Sequence, residues 1–265
     1  MPALLFEKNG PVVTLTINRP ESRNLLGEEG DGWLFAEAAA RINADMDTRC
    51  VILTGSGTAF SAGGNLKAMR ERTGVFSGKA DDIREAYKRH IHPIVHSLWT
   101  LEVPLIAAVN GAAIGLGNDV ACLADIRIAA DTAVFGATFL KIGLVPGDGG
   151  AWLLPRVIGH ARAAELFFAG ETIDAKTALE WGLVSQVVPA DMLMEMARGL
   201  AAKISRQPPG VLRMTKKLMR EGTRSDFATV MDLSASCQSR AHLSEDHAEA
   251  LAAFFEKREP VYKGK

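Results

Sequence analysis

Apolar runs bounded by turn formers punctuate the first half of the chain. Val12–Ile17 reads Val-Val-Thr-Leu-Thr-Ile between Gly10-Pro11 and Asn18-Arg19-Pro20, a β-branched run that predicts a strand. Residues 50–54 predict a second strand ending at Gly55, and Leu105–Val109 and Ile126–Ala130 predict two more. Between them the spacing changes to helical. Residues 28–43 carry apolar positions near a 3.6-residue period, a helix begins near Asn65, and 111–124 has the composition of a Gly-rich turn running into a buried helix. Strands alternating with helices imply an α/β fold with largely parallel pairing, because parallel strands need crossover connections. From Met192 the strands stop: 192–205, 209–221, 225–241 and 244–257 all read as helices, with Pro208-Pro209-Gly210 marking a break. The expected organisation is an α/β core over 1–200 and a helical region over 201–265 that packs on the core or on a partner subunit. Residues 73–86 show no firm pattern.

A chain of 265 residues with 48% hydrophobic residues can bury a substantial core. Lys and Arg number 30 against 31 Asp and Glu, so the clustered cationic excess of a general nucleic-acid binder is missing. The opening apolar run ends at Glu7-Lys8, too short for a secretory segment, and no run reaches the ~20 apolar residues of a membrane span. Cys50, Cys122 and Cys237 are odd in number and far apart, which suits free thiols in a reducing compartment. A cytoplasmic protein without membrane or nucleic-acid partners is expected.

Three small-residue segments carry the candidate chemistry. Ala59-Phe60-Ser61-Ala62-Gly63-Gly64-Asn65-Leu66-Lys67 lies between a strand and a helix, where small residues let main-chain N–H groups face a cleft. Asn110-Gly111-Ala112-Ala113-Ile114-Gly115-Leu116-Gly117-Asn118-Asp119 is a turn leading into a helix with a carboxylate in its first turn. The third runs from Phe135-Gly136-Ala137-Thr138-Phe139 to Pro146-Gly147-Asp148-Gly149-Gly150. Other signals are weaker. Ala59-x-Ser61-x-Gly63 imitates a nucleophile elbow, but Gly55-Ser56-Gly57-Thr58 separates it from its strand. Gly115-x-Gly117 is a fragment of a dinucleotide fingerprint. His92 and His96, four apart, lack a third metal ligand, so no metal is expected.

In order and spacing, the three segments together with Asn18-Arg19-Pro20-Glu21 and the closing Ala253-Phe254-Phe255-Glu256-Lys257-Arg258-Glu259-Pro260 resemble the crotonase superfamily, which includes the enoyl-CoA hydratases and isomerases. That resemblance implies a spiral of ββα turns, a C-terminal helical region used for trimer or dimer-of-trimers assembly, and an acyl-CoA substrate, with no cofactor apart from the coenzyme A of the substrate. It puts the two oxyanion-hole amides on Ala62 and Leu116. Two N–H groups on a thioester oxygen stabilise the charge that grows there as the α-carbon loses a proton. It further implies substrate contacts from Arg23, Asn65, Leu66, Lys67, Gly117, Thr138, Phe139, Gly147 and Lys257; for Lys67 and Lys257 an ordinary solvated charge is the alternative.

The sequence departs from the hydratase pattern at one of its two glutamates. The first falls on Asp119, still a carboxylate; the second falls on Phe139, which transfers no proton. Asp148, nine residues further on, is the candidate replacement: in an apolar pocket its pKa would rise and suit acid–base work, or it caps the following helix. The expectation is an enoyl-CoA hydratase-type enzyme with Asp119 and Asp148 as proton-transfer groups. Double-bond isomerisation, or acyl-CoA binding without turnover, are the alternatives left by Phe139.

Overall fold

The structure is a computed structural model describing residues 2–265. The main sheet is built from β1 (Leu4–Asn9), β2 (Val12–Ile17), β3 (Cys50–Gly55), β5 (Leu105–Val109), β7 (Ile126–Ala130) and β10 (Gln186–Val188), in that order across the sheet. Only β1 runs antiparallel, as a hairpin with β2; the other pairings are parallel. A smaller second sheet holds β4 (Ala59–Ser61), β6 (Ala112–Ile114), β8 (Val134–Gly136) and β9 (Thr172–Asp174). Each of β3, β5 and β7 turns directly into a short strand of the second sheet, so the chain climbs as repeated ββα units.

Helices fill the remainder: α1 (Asp31–Ala44), α2 (Leu66–Glu71), α3 (Ala80–Ala86), α4 (His92–Trp99), α5 (Leu116–Leu123), α6 (Gly150–Ile158), α7 (His160–Ala169), α8 (Ala175–Glu180), α9 (Leu193–Ser205), α10 (Pro209–Glu221), α11 (Phe227–His242) and α12 (Glu245–Glu256). The central strands are apolar on both faces because both are covered. Val51, Leu53, Leu105 and Ala107 face the large core under α1, α4 and α5. Their neighbours Ile52, Ile106, Ala108 and Ile128 point the other way, against Leu193, Ala197 and Ala201 of α9. The boundary expected at residue 200 falls inside α9, which packs on the main sheet.

Polar side chains hold the corners where strands turn. Asn24, fully buried, donates from its amide to the carbonyls of Ser56 and Ala59 at 2.8 and 2.7 Å and accepts from Arg19 N–H at 2.9 Å. Arg49 donates to the carbonyls of Ser205 and Tyr262, both at 2.9 Å, which ties the C-terminal segment back to the sheet. Among the described residues no helix is long and apolar enough to cross a membrane.

Candidate active site

The second sheet stacks the 62–64 and 114–116 segments against each other. A Cβ built on Gly63, whose φ is 85°, would stand 2.6 Å from the Ile114 carbonyl and 3.5 Å from the Leu116 amide nitrogen, so only glycine allows this approach. The two segments form one wall of a narrow cleft with a chamber of about 100 Å³. Leu26, Leu66, Met69, Phe76, Ile91 and Phe139 supply most of the apolar remainder, and Asp148 closes it.

The amides divide differently from expectation. Ala62 N–H, expected in the oxyanion hole, donates to the Arg23 carbonyl at 2.9 Å and is not free. The left-handed backbone of Arg23 and Asn24, φ 57° and 59°, brings that carbonyl across. Gly63 N–H is taken by the Ser61 hydroxyl at 3.2 Å, and the Gly63 carbonyl accepts from Leu26 N–H at 2.9 Å. Gly64 N–H is the first amide after β4 with no acceptor among the described residues. Opposite it, Leu116 opens α5, and the first N–H groups of a helix have no partner within it. The positive end of the α5 dipole adds to the pull on an anion there.

The two aspartates, both expected to transfer protons, stand in different places. Asp119 is fully buried on α5, does not line the cleft, and accepts Gly150 N–H through Oδ2 at 3.0 Å. It caps α6 from outside, and burial first, Asp148 second, hold its carboxyl well above the usual carboxylate range. Asp148 does not take the alternative role of capping that same helix: the cap position is Gly149 (φ 97°), with no side-chain cap bond. Asp148 instead lines the cleft with 6% of its surface exposed and Oδ1 buried without a partner. Burial pushes its carboxyl up to about 6, partly offset by His92. His92 Nε2 lies 3.1 Å from the Gly147 carbonyl, with the Nε2–H tautomer donating, so it braces the turn that carries Asp148.

The remaining expected contacts separate into wall, frame and rim. Thr138, Phe139 and Leu66 line the cleft. Phe139 is buried, its ring edge 3.7 Å from a Cβ built on Gly115. Asn65 is structural: its Oδ1 caps α2 by accepting Ala68 N–H at 3.0 Å and its amide donates to Glu28 at 2.8 Å. Gly117 is a packing glycine pressed on the Ser61 backbone and does not reach the cleft. Gly147 acts through the carbonyl that meets His92. Arg23 and Lys67 are exposed near the mouth, and Lys257 is exposed at the end of α12, outside the cleft lining.

Two contributors escaped the sequence reading. Gly64 stood inside the quoted motif, but nothing in the residue string says which amide a distant carbonyl engages. Tyr87 sits one residue past the unpatterned 73–86 segment, at the start of a π-helical turn (Tyr87–Ile91) between α3 and α4. Its ring packs edge-on to Phe76 and His92, and burial and the Asp148 charge keep its phenol protonated beyond the usual range.

The repeated ββα units place the chain in the crotonase class of α/β fold. Comparison with known proteins makes the family definite: residues 7–265 match the family model described as enoyl-CoA hydratase/isomerase, and the chain belongs to that family. It is 39% identical over 254 residues to the 1,2-epoxyphenylacetyl-CoA isomerase of Escherichia coli (strain K12), covering 96% of this chain and 95% of that one. It is 34% identical to the short-chain-enoyl-CoA hydratase of Clostridium acetobutylicum, covering 96% and 95%. The crystal structure of an enoyl-CoA hydratase from Bacillus anthracis superposes with a TM-score of 0.93 at 34% identity, over 100% of both chains. The protein is an enzyme of this family, with lyase and isomerase chemistry both represented among its relatives.

Proposed function

We propose that the chain isomerises the double bond of an enoyl-CoA thioester, with Asp148 as its single proton-transfer group. The observation that carries this reading is that the cleft is lined by one carboxyl, not two. The thioester oxygen accepts from the N–H groups of Gly64 and Leu116. The Asp148 carboxylate takes a proton from the α-carbon of a 3-enoyl thioester, and the electron pair moves onto the oxygen as an enolate. The same carboxyl then returns the proton to the γ-carbon, giving the 2-enoyl thioester. One base, one proton and no water balance the step, so no separate cofactor is needed beyond the coenzyme A of the substrate. Arg23 and Lys67 at the mouth suit the coenzyme A phosphates, and Lys257 is a candidate to reach them from a neighbouring subunit.

That reach of Lys257 requires self-association, which is part of the same proposal. Phe227, Leu243, Phe254 and Phe255 of the helical region are each more than three-quarters exposed, an apolar surface that suits assembly as a trimer or a dimer of trimers.

Hydration is the competing reading, favoured by the hydratase relatives and by a chamber with room for several waters. The test is absorbance of the conjugated enoyl thioester. Isomerisation raises it on a 3-enoyl-CoA, whereas hydration lowers it on crotonyl-CoA. Tight acyl-CoA binding with neither change would refute both and leave a binding protein.

A further inference from the structure

A second cavity of about 420 Å³ lies between α10 and the segment following α4, away from the cleft, and its charge is unbalanced. Arg213, Lys216, Lys217, Arg220 and Arg224 face it, against Glu102 and Glu221, with Asp125 beneath. Each of these carboxylates has a close partner: Glu102 with Arg213 at 2.6 Å, Glu221 with Arg224 at 2.6 Å, and Asp125 with Lys216 at 2.7 Å. Among the described residues Lys217 has no close carboxylate, and Arg220 has only a share of Asp125. Arg220 shares Asp125 with Lys216: Asp125 Oδ1 lies 3.7 Å from Arg220 Nη2, a long ion pair, and among the described residues that Nη2 is buried with no hydrogen-bond partner. The guanidinium is nonetheless held in place, stacked 4.4 Å from the centre of the Trp99 ring.

A fixed, largely desolvated cation that shares one carboxylate with a second cation is unfavourable unless something completes it. Burial lowers Lys216 to about 8 and Arg220 below its usual value; Asp125 opposes both shifts, and Arg220 adds a smaller downward push on Lys216. Guanidinium forks match the oxygens of phosphate, and Lys217 at the rim adds a mobile point charge.

We infer that this groove is a binding site for a phosphate group, separate from the acyl cleft and held by Arg220 and Lys217. The separation is set by α4: His92 braces the catalytic turn at one end and Trp99 forms the groove wall at the other, roughly 10 Å along the axis. The phosphate comes either as the free inorganic ion or as a monoester on a small metabolite.

The test is calorimetric titration of the intact protein with inorganic phosphate and, separately, with adenosine 3′-monophosphate, at low chloride. The expected result is one saturable site with a dissociation constant below ~1 mM, weakened about tenfold or more by Lys217→Gln and by Arg220→Gln. Acyl-CoA turnover without phosphate stays unchanged in both variants. Tighter binding of the monoester points to a metabolite, and equal binding to the free ion. Lys217 is exposed, so its replacement tests the site even if removing Arg220 from Trp99 unsettles the fold. No saturable binding up to ~10 mM, or equal affinity in wild type and the Lys217 variant, would overturn the assignment, as would loss of binding in Arg23→Gln instead.

Discussion

At the scale of single residues, Asp148 and the two free amides carry the account. A base must be charged to accept a proton, and burial raises Asp148 to about 6, so turnover should fall as pH drops through about 6. The stability consequence has the opposite sign. Between the ordinary Asp value and about 6 the folded state binds the extra proton, so ionising Asp148 destabilises the fold at higher pH. Asp148→Asn should abolish turnover while raising the melting temperature at pH 7.5 and leaving it unchanged near pH 4. Two pKa units bound the gain at ~3 kcal/mol. Leu116 allows a clean test of an amide, because the first position of a helix tolerates proline. Leu116→Pro should lower kcat by ~10²–10³ with the fold kept, whereas Leu116→Ala, which retains the N–H, should lose far less.

At the scale of elements, the contact between α5 and the start of α6 sets which aspartate reaches the cleft. A Cβ on Gly150 would land on the Asp119 carboxylate, so Gly150→Ala should destabilise the protein by ~1–3 kcal/mol in a denaturant titration. Adding Asp119→Ala should recover part of that loss, because it empties the space. Strands β3 and β5 were legible in the sequence because burial on both faces writes continuous apolar runs, and the C-terminal helices because helical spacing runs on with no further strand. β1 was not: Leu4-Leu5-Phe6-Glu7-Lys8-Asn9 ends in polar residues because it is an edge strand. The second sheet was missed entirely, since three-residue strands such as Ala112-Ala113-Ile114 leave no period to read. The site was legible as three segments. Its assignment was not, because Ala62 loses its amide to a carbonyl 39 positions away in sequence, and Asp119 and Asp148 differ only in what surrounds them.

At the scale of the whole molecule, the core ends at α9 and the last helices leave their aromatic side chains uncovered. Light scattering on the purified protein should give three or six times the 28.4 kDa chain mass, and Phe254→Asp with Phe255→Asp should shift it downward. A mass of one chain in the unaltered protein would remove the assembly argument and with it any reach of Lys257 across a boundary. The most direct measurement on the central claim is washout of the α-protons of a saturated acyl-CoA in deuterated water, followed by proton NMR, because it needs only the amide-held enolate and its base. The account predicts exchange by the unaltered protein, none by Asp148→Asn, and exchange retained in Asp119→Asn. Undiminished exchange in a folded Asp148→Asn protein, or its loss in Asp119→Asn alone, would contradict it.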